Sequence, residues 1–362
     1  MIKVKKEGIL LSKTNLEFEN EGVLNPAVIR EGDSIHLFYR AVRKGNYSSI
    51  GYCRLDGSLT VAERWDKPFM VKEFEYESQG IEDPRIVNID GLYYLTYTAY
   101  DGINARGALA VSTDMKNFEK RGLLVPLITY IEFVFLLESG ERVNEKYYRN
   151  HKFYYQEHNT EKKIFLWDKN VVFFPRRIKG KLYFLHRIRP GIQIVAINNL
   201  EELTEKFWKN YCTNLKKHIV MDPRFQHESK YIGGGCPPIE TEHGWLLIYH
   251  GVEETDKGLI YSACAALLKL DDPSIEIARL PLPLFTPECD WELNGLVNNV
   301  VFPTGTALFG DTLYIYYGAA DEQIACASLS FSALLDELIN GMNPGASSAA
   351  SSGEFNPKVI KL

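Results

Sequence analysis

The chain has no paired cysteine motif. Its six cysteines, Cys53, Cys212, Cys236, Cys264, Cys289 and Cys326, stand singly, with no CxxC and no Cys/His cluster at zinc spacing. That excludes a cysteine-held metal and points to reduced, mostly buried thiols. Positive charge is also short: 41 Lys and Arg face 47 Asp and Glu, a net charge of -6. A nucleic acid backbone needs a basic surface, so no such partner is expected. No run approaches the roughly 20 apolar residues of a membrane span. The opening MIKVKKEGILLSK alternates charged and apolar residues, whereas a secretory leader carries an unbroken apolar core. A cytoplasmic chain with no membrane partner is expected. Long amphipathic helices are missing too, which sets aside helical bundles and helix-covered parallel sheets.

What is present is hydrophobic and aromatic: 45% apolar residues, with 21 Tyr and 19 Phe, enough for a well-filled core and weighted towards strands. Five segments repeat one pattern, a polar residue and usually a proline, a short apolar strand, a Gly-containing turn and an aromatic return strand. They are NPAVIREGDSIHLFYRA from Asn25, EDPRIVNIDGLYYLTYTA from Glu82, NVVFFPRRIKGKLYFLHRI from Asn170, GCPPIETEHGWLLIYHG from Gly235 and NNVVFPTGTALFGDTLYIYYGAAD from Asn298. The turns Gly32-Asp33, Asp90-Gly91, Lys179-Gly180, His243-Gly244 and Gly310-Asp311 are tight-hairpin signatures. They lie about 58, 89, 64 and 66 residues apart, and an insertion over about residues 128–163 accounts for the long interval. Repeated sheets without helices predict radial repetition, which protects strand edges by closing a ring. The expected architecture is all-β, one five-bladed β-propeller over residues 1–362. Residues 330–340 carry helical spacing, 341–353 are a Gly/Ser/Ala-rich flexible segment, and the final FNPKVIKL is expected to return as a ring-closing strand.

Residues equidistant from a hairpin turn sit side by side at its open end. Asn25 and Arg40 are centred on 32.5, the first turn, and Asp83 and Thr98 on 90.5, the second. Asn170 and Arg187 fall within about one residue of the third turn, Asp321 and Asn299 flank the fifth, and His250 follows the fourth. In a ring these ends share one face around the axis. The face should therefore collect Asn25, Arg40, Asp83, Asn170, Arg187, His250 and Asp321, with Lys169 and Lys230 alongside, a concave polar site suited to a small anionic or sugar-like ligand. Each residue also has a plain structural reading. Asp83 before Pro84 can simply start a strand, Arg40 can be an ion pair, and His250 can be a satisfied core histidine. It is the joint placement that favours function. Strand alternation is expected to send Glu82 to the face opposite Asp83.

These pieces, NPAVIREGD…FYRA, GIEDPRI, KNVVFFPRRIKGKLYFLHR, KYIGGGCPPIETEHGWLLIYHGV, YSACAALLKLDDPS and NVVFPTGTAL…YIYYGAAD, taken in order, resemble glycoside hydrolase family 130, the β-mannoside phosphorylases and their hydrolytic relatives. The resemblance implies a five-bladed propeller and an inverting reaction with one catalytic acid, here Asp83. The acid passes its proton through the substrate's own 3-hydroxyl while phosphate attacks the anomeric carbon. It further implies a phosphate group of Asn170, Arg187, Lys230 and His250 with Lys169 and Tyr261 nearby, and a mannose group of Asn25, Arg40, Asp83 and Asp321. No metal or organic cofactor is implied; inorganic phosphate and a β-mannoside oligosaccharide are the expected partners, and homo-oligomers are common among members. Family phosphorylases often carry arginine where Lys169 stands, and lysine keeps charge but loses the bidentate fork. Two alternatives follow. An inverting β-mannosidase would need a carboxylate base about 6.5 to 9.5 Å from the acid, with Glu228, Glu240 and Glu253 the candidates; a non-catalytic sugar-binding propeller would not need Asp83.

Overall fold

The structure, a computed structural model, describes residues 2–149 and 163–342. The chain folds as a five-bladed β-propeller. The inner strands are Gly22–Glu31, Gly80–Ile89, Lys169–Phe173, Tyr231–Gly234 and Val301–Phe309; the first four pack in succession and the fifth packs on the first. Each is followed by an antiparallel partner, respectively Ser34–Arg43, Leu92–Tyr100, Leu182–Arg187, Gly244–Thr255 and Thr312–Ala319. All five expected hairpin turns lie between these pairs, with left-handed backbone at Gly32, Asp90, Gly91, Lys179, Gly180 and Gly310. Blades one and two join through a single parallel bridge, Ser48 to Gly80.

The ring is closed by the N-terminal strand Lys5–Leu11, which pairs with Gln323–Ser330 as the outer strand of blade five. The expected closing strand FNPKVIKL and most of the Gly/Ser-rich segment lie outside the described residues. The expected helix is present as Phe331–Met342. In the described part of the insertion, helix Tyr130–Glu138 buries Tyr130, Phe133 and Leu137 in one cluster with Trp208 and Tyr211 of helix Glu205–Thr213, flanking blade three. Five cysteines are buried, Cys289 is partly so, and all six are free.

One side-chain device recurs and fixes the strands that feed the axis. In blades one, two, four and five a fully buried glutamate, Glu19, Glu77, Glu228 or Glu292, accepts from the hydroxyl of Tyr39, Tyr97, Tyr249 or Tyr317 at 2.5–2.8 Å. The same carboxylate meets a cation, Arg64, Lys120, Arg279 or Lys6, at 2.5–3.1 Å. A buried charge is tolerable only when its acceptor sites are filled in this way. Blade three substitutes His186, whose ring sits 2.8 Å from Asp168 and 2.7 Å from the Tyr211 hydroxyl. Each tyrosine, and His186, immediately precedes a residue at the open end of its hairpin: Arg40, Thr98, Arg187, His250 or Gly318.

Candidate active site

The inner strands begin with a kink. Asn25, Asp83 and Asn170 all hold left-handed backbone, with φ of 51°, 48° and 55°. Their ladders skip register at Leu24/Ala27, Glu82/Arg85 and Lys169/Val172. Asn and Asp tolerate this conformation better than other side chains. The skipped residue is aimed by the bulge rather than by strand alternation. The expectation that Glu82 and Asp83 take opposite faces is therefore corrected, although of the two only Asp83 lines the central cavity. Both carboxylates face the same cations: Arg40 reaches Glu82 at 2.7 Å and Asp83 at 3.8 Å, and Lys169 reaches them at 3.5 and 3.8 Å.

Asp83 lies in a cavity of about 190 Å³ with Asn25, Arg40, Lys169, Asn170, Arg187, Tyr261 and Asp321, all foreseen, and with Arg189, Tyr231 and Phe302, which were not. Asn25 donates to Asp83 at 2.7 Å. That contact depends on Gly318, where a Cβ would stand 1.9 Å from the Asn25 carboxamide oxygen. Beneath, the fully buried Arg85 donates to the carbonyls of Asp83 and Pro84 at 3.0 and 2.9 Å and to that of Gly235 across the axis, so it pins the kink from blade four. Arg85 was missed by hairpin reasoning. Its signal was a third charged residue, after Glu82 and Asp83, in a strand that is buried along nearly its whole length.

Burial is the largest influence on the Asp83 carboxyl and pushes it up. Lys169, Arg40, the Asn25 hydrogen bond and Arg85 together outweigh burial and hold it below the usual aspartate value. Asp321 goes the other way: burial lifts it to about 6, and the neighbouring Asp83 adds to the rise while Arg40 opposes it. The cavity thus has an acidic end, Asp83 and Asp321 around Arg40, and a basic end at Arg187 and Arg189, with Lys169 between them.

Two expected phosphate residues are placed elsewhere. Lys230 does not line the cavity, because its ammonium is paired with Glu254 on the adjacent strand. His250 is fully buried behind the wall, with Nε2 3.4 Å from an Arg187 nitrogen and its ring 4.4 Å from that of Phe302. Burial first, then Arg187, Arg85, Arg189 and Lys169, hold the His250 ring far below its usual value. It is neutral at pH 7 and accepts from Arg187 instead of adding charge. The three glutamates considered as hydrolytic bases are also committed: Glu228 in its buried clamp, Glu240 to the Arg176 guanidinium, and Glu253 to Gln226 at 3.0 Å. None of them lines the cavity.

Residues 10–340 match the family model described as beta-1,4-mannooligosaccharide phosphorylase. The chain is 34% identical over 342 residues to a 1,2-beta-oligomannan phosphorylase of Thermoanaerobacter sp. (strain X514), covering 91% of this chain and 98% of that protein. A beta-1,2-mannobiose phosphorylase from the same organism is 36% identical over 328 residues, 86% of this chain and 91% of the relative. The structure of the Listeria innocua beta-1,2-mannobiose phosphorylase in complex with beta-1,2-mannobiose aligns with TM-score 0.69 at 24% identity, over 93% of this chain and 99% of that one, a likeness of fold. With its propeller, its kinked inner strands and a match along nearly its whole length, the chain belongs to glycoside hydrolase family 130.

Proposed function

We propose that this protein is an inverting β-mannoside phosphorylase, splitting a β-mannosyl oligosaccharide with inorganic phosphate into α-mannose 1-phosphate and a shortened acceptor. The observation that carries the reading is one cavity holding a carboxyl group, Asp83, and a cationic end at Arg187 and Arg189, in a chain of this family. Asn25, Arg40 and Asp321 hold the mannosyl unit and Asp83 is the acid. The Asp83 proton passes to the sugar 3-hydroxyl, whose own proton goes to the glycosidic oxygen. The C1–O bond breaks, and a phosphate oxygen bonds C1 from the opposite face. Phosphate is already nucleophilic, so no enzymic base is required, consistent with Glu228, Glu240 and Glu253 being engaged elsewhere.

Asp83 is ionised at neutral pH, since its carboxyl is held low. The proton it donates arrives with substrate. Phosphate monoanion plus carboxylate has the same proton count as phosphate dianion plus the neutral acid, so a monoanion entering the basic end supplies it.

The linkage favoured is β-1,2, because the three relatives aligned along most of this chain are named for it. The test is incubation with β-1,2- and β-1,4-mannobiose, with and without phosphate, assaying mannose 1-phosphate. Phosphate-dependent release from the β-1,2 disaccharide is expected. Free mannose at the same rate without phosphate would support the hydrolase, and no turnover of either would support a binding module.

A pH prediction arises from Asp321. As a carboxylate it accepts hydrogen bonds from sugar hydroxyls, and below its value of about 6 the added proton turns one oxygen into a donor and weakens the charge-assisted contacts. The kcat/KM for the mannoside is expected to fall as pH drops through about 6. Asp321→Asn should lower the plateau and remove that inflection; an unchanged inflection in the variant would assign it to another group.

A further inference from the structure

A second pocket, about 200 Å³ in volume and so about as large as the catalytic cavity, opens at the seam between blades one and two. Ser48 lines it, is buried, and accepts from Arg40 Nε at 2.9 Å, while Arg40 lines the cavity. At this point a single side-chain contact separates the two hollows. The turn over residues 44–46, between strands Ser34–Arg43 and Tyr47–Asp56, stands at the same end of blade one as Arg40. Gln79 braces that turn by donating to the carbonyls of Gly45 and Asn46 at 3.1 and 3.2 Å, and Arg40 reaches Asn46 Oδ1 at 3.4 Å. Gly80 keeps the seam tight: its φ is 145°, and a Cβ there would stand 2.5 Å from the Ser48 carbonyl oxygen.

The lining has an apolar side and a polar one. Phe18, Val71 and Tyr47 supply the first, with Val71 50% and Tyr47 38% exposed. Ser49 and Gln79 belong to the second, and the buried Ser49 hydroxyl makes no hydrogen bond among the described residues. The two cations are engaged. Arg43 lies 4.8 Å over the Tyr47 ring and 3.3 Å from the Glu17 carboxylate, and Lys72 donates to the Ser78 carbonyl at 3.2 Å. No carboxylate lines the pocket. Aromatic and aliphatic surface beside hydroxyl and amide groups, with the charges already matched, fits a neutral sugar, whose C–H face packs on a ring while its hydroxyls find polar partners.

We propose that this seam pocket is an outer acceptor subsite, holding a mannosyl unit of the substrate beyond the one joined to the scissile bond. The inference rests on the phosphorolysis reading and extends it to chain length. Inversion at C1 puts phosphate and the leaving oxygen on opposite faces of the mannosyl ring. The acceptor chain therefore leaves away from the basic end. In a five-bladed ring the seam of blades one and two faces blade four, whose Tyr231 lines the basic end beside Arg187. A chain leaving on that course passes over Arg40 and meets the pocket next.

The experiment compares Tyr47→Ala and Val71→Trp with the wild type on mannose di-, tri- and tetrasaccharides of the β-1,2 and β-1,4 series at saturating phosphate. It also reads how far the tetrasaccharide raises the melting temperature beyond the disaccharide when no phosphate is present. The wild type is expected to favour the longer chains. Tyr47→Ala should raise the tetrasaccharide KM about three- to tenfold, the worth of one aromatic contact, and leave the disaccharide KM within about twofold. Val71→Trp, which fills the pocket, should do the same by exclusion, and it carries the test if Tyr47→Ala disturbs the turn. In both variants the extra thermal shift of the tetrasaccharide should vanish. KM values that change equally for every chain length, or for none, would overturn the subsite, as would an extra shift that both variants keep. A wild type that releases no mannose 1-phosphate from any of these sugars would sink the phosphorolysis reading instead; an extra shift lost in Val71→Trp would still support the pocket as a sugar site.

Discussion

An Asp83→Asn enzyme is expected to lose phosphorolysis by about 10²- to 10⁴-fold, the usual worth of a general acid, while melting close to the wild type. The carboxamide keeps the oxygen that accepts from Asn25, and Glu82 remains to pair with Arg40 and Lys169. The left-handed backbone at position 83 suits Asn as well as Asp. What disappears is the proton. Synthesis from mannose 1-phosphate should fall in parallel, because the same carboxylate takes the acceptor proton on the way back. Mannose 1-phosphate release and a thermal melt decide it. A variant retaining near-normal turnover would move the acid to another carboxyl, and Asp321, lifted to about 6 in the same cavity, is the one to examine next.

Much of this site was legible because hairpins convert sequence distance into spatial proximity. The turns at Gly32, Gly91 and Gly310 locate the open ends, and the midpoint arithmetic brings Asn25, Arg40, Asp83 and Asp321 together within about one residue of the observed pairings. The errors have two physical sources. Strand alternation fails where the backbone turns left-handed, so Glu82 joined the side it was expected to leave. Nothing in the Asp-Pro sequence distinguishes a plain strand start from a bulge. Long side chains at the rim are the second source: Lys230 and Glu254 are neighbours across two paired strands, and the sequence does not say whether the lysine reaches inward or for that carboxylate. Arg189 had a usable signal, since Arg187 and Arg189 stand two apart, the spacing that puts extended residues on one face. It lies in the loop after the second strand of its blade, beyond the hairpin ends that the midpoint arithmetic paired. The recurring Glu–Tyr–cation clamp was passed over because its glutamates precede the repeated segments, although each is the third residue of a one-turn helix and FEYES and FQHES share a pattern.

The second large effect is expected at Arg187. Its guanidinium lies between neutral His250, which accepts one of its protons at 3.4 Å, and the face of Tyr231. Charge-assisted hydrogen bonds are worth about 1.5–3 kcal/mol each, so Arg187→Ala should raise the phosphate KM about ten- to a hundredfold and change the mannoside KM far less. Arg187→Lys should fall between, with charge kept and the fork lost. A companion substitution separates geometry from charge. A Cβ at Gly233 would stand 2.6 Å from the His250 ring and 2.9 Å from Arg187 Cδ, nearer than real contacts allow. Gly233→Ala should therefore displace both side chains and weaken phosphate binding without removing any charged group. If Gly233→Ala leaves the phosphate KM unchanged while Arg187→Ala raises it, the basic end works as a diffuse positive field. If Arg187→Ala instead raises only the mannoside KM, the guanidinium binds sugar, and the anion site lies elsewhere in the cavity.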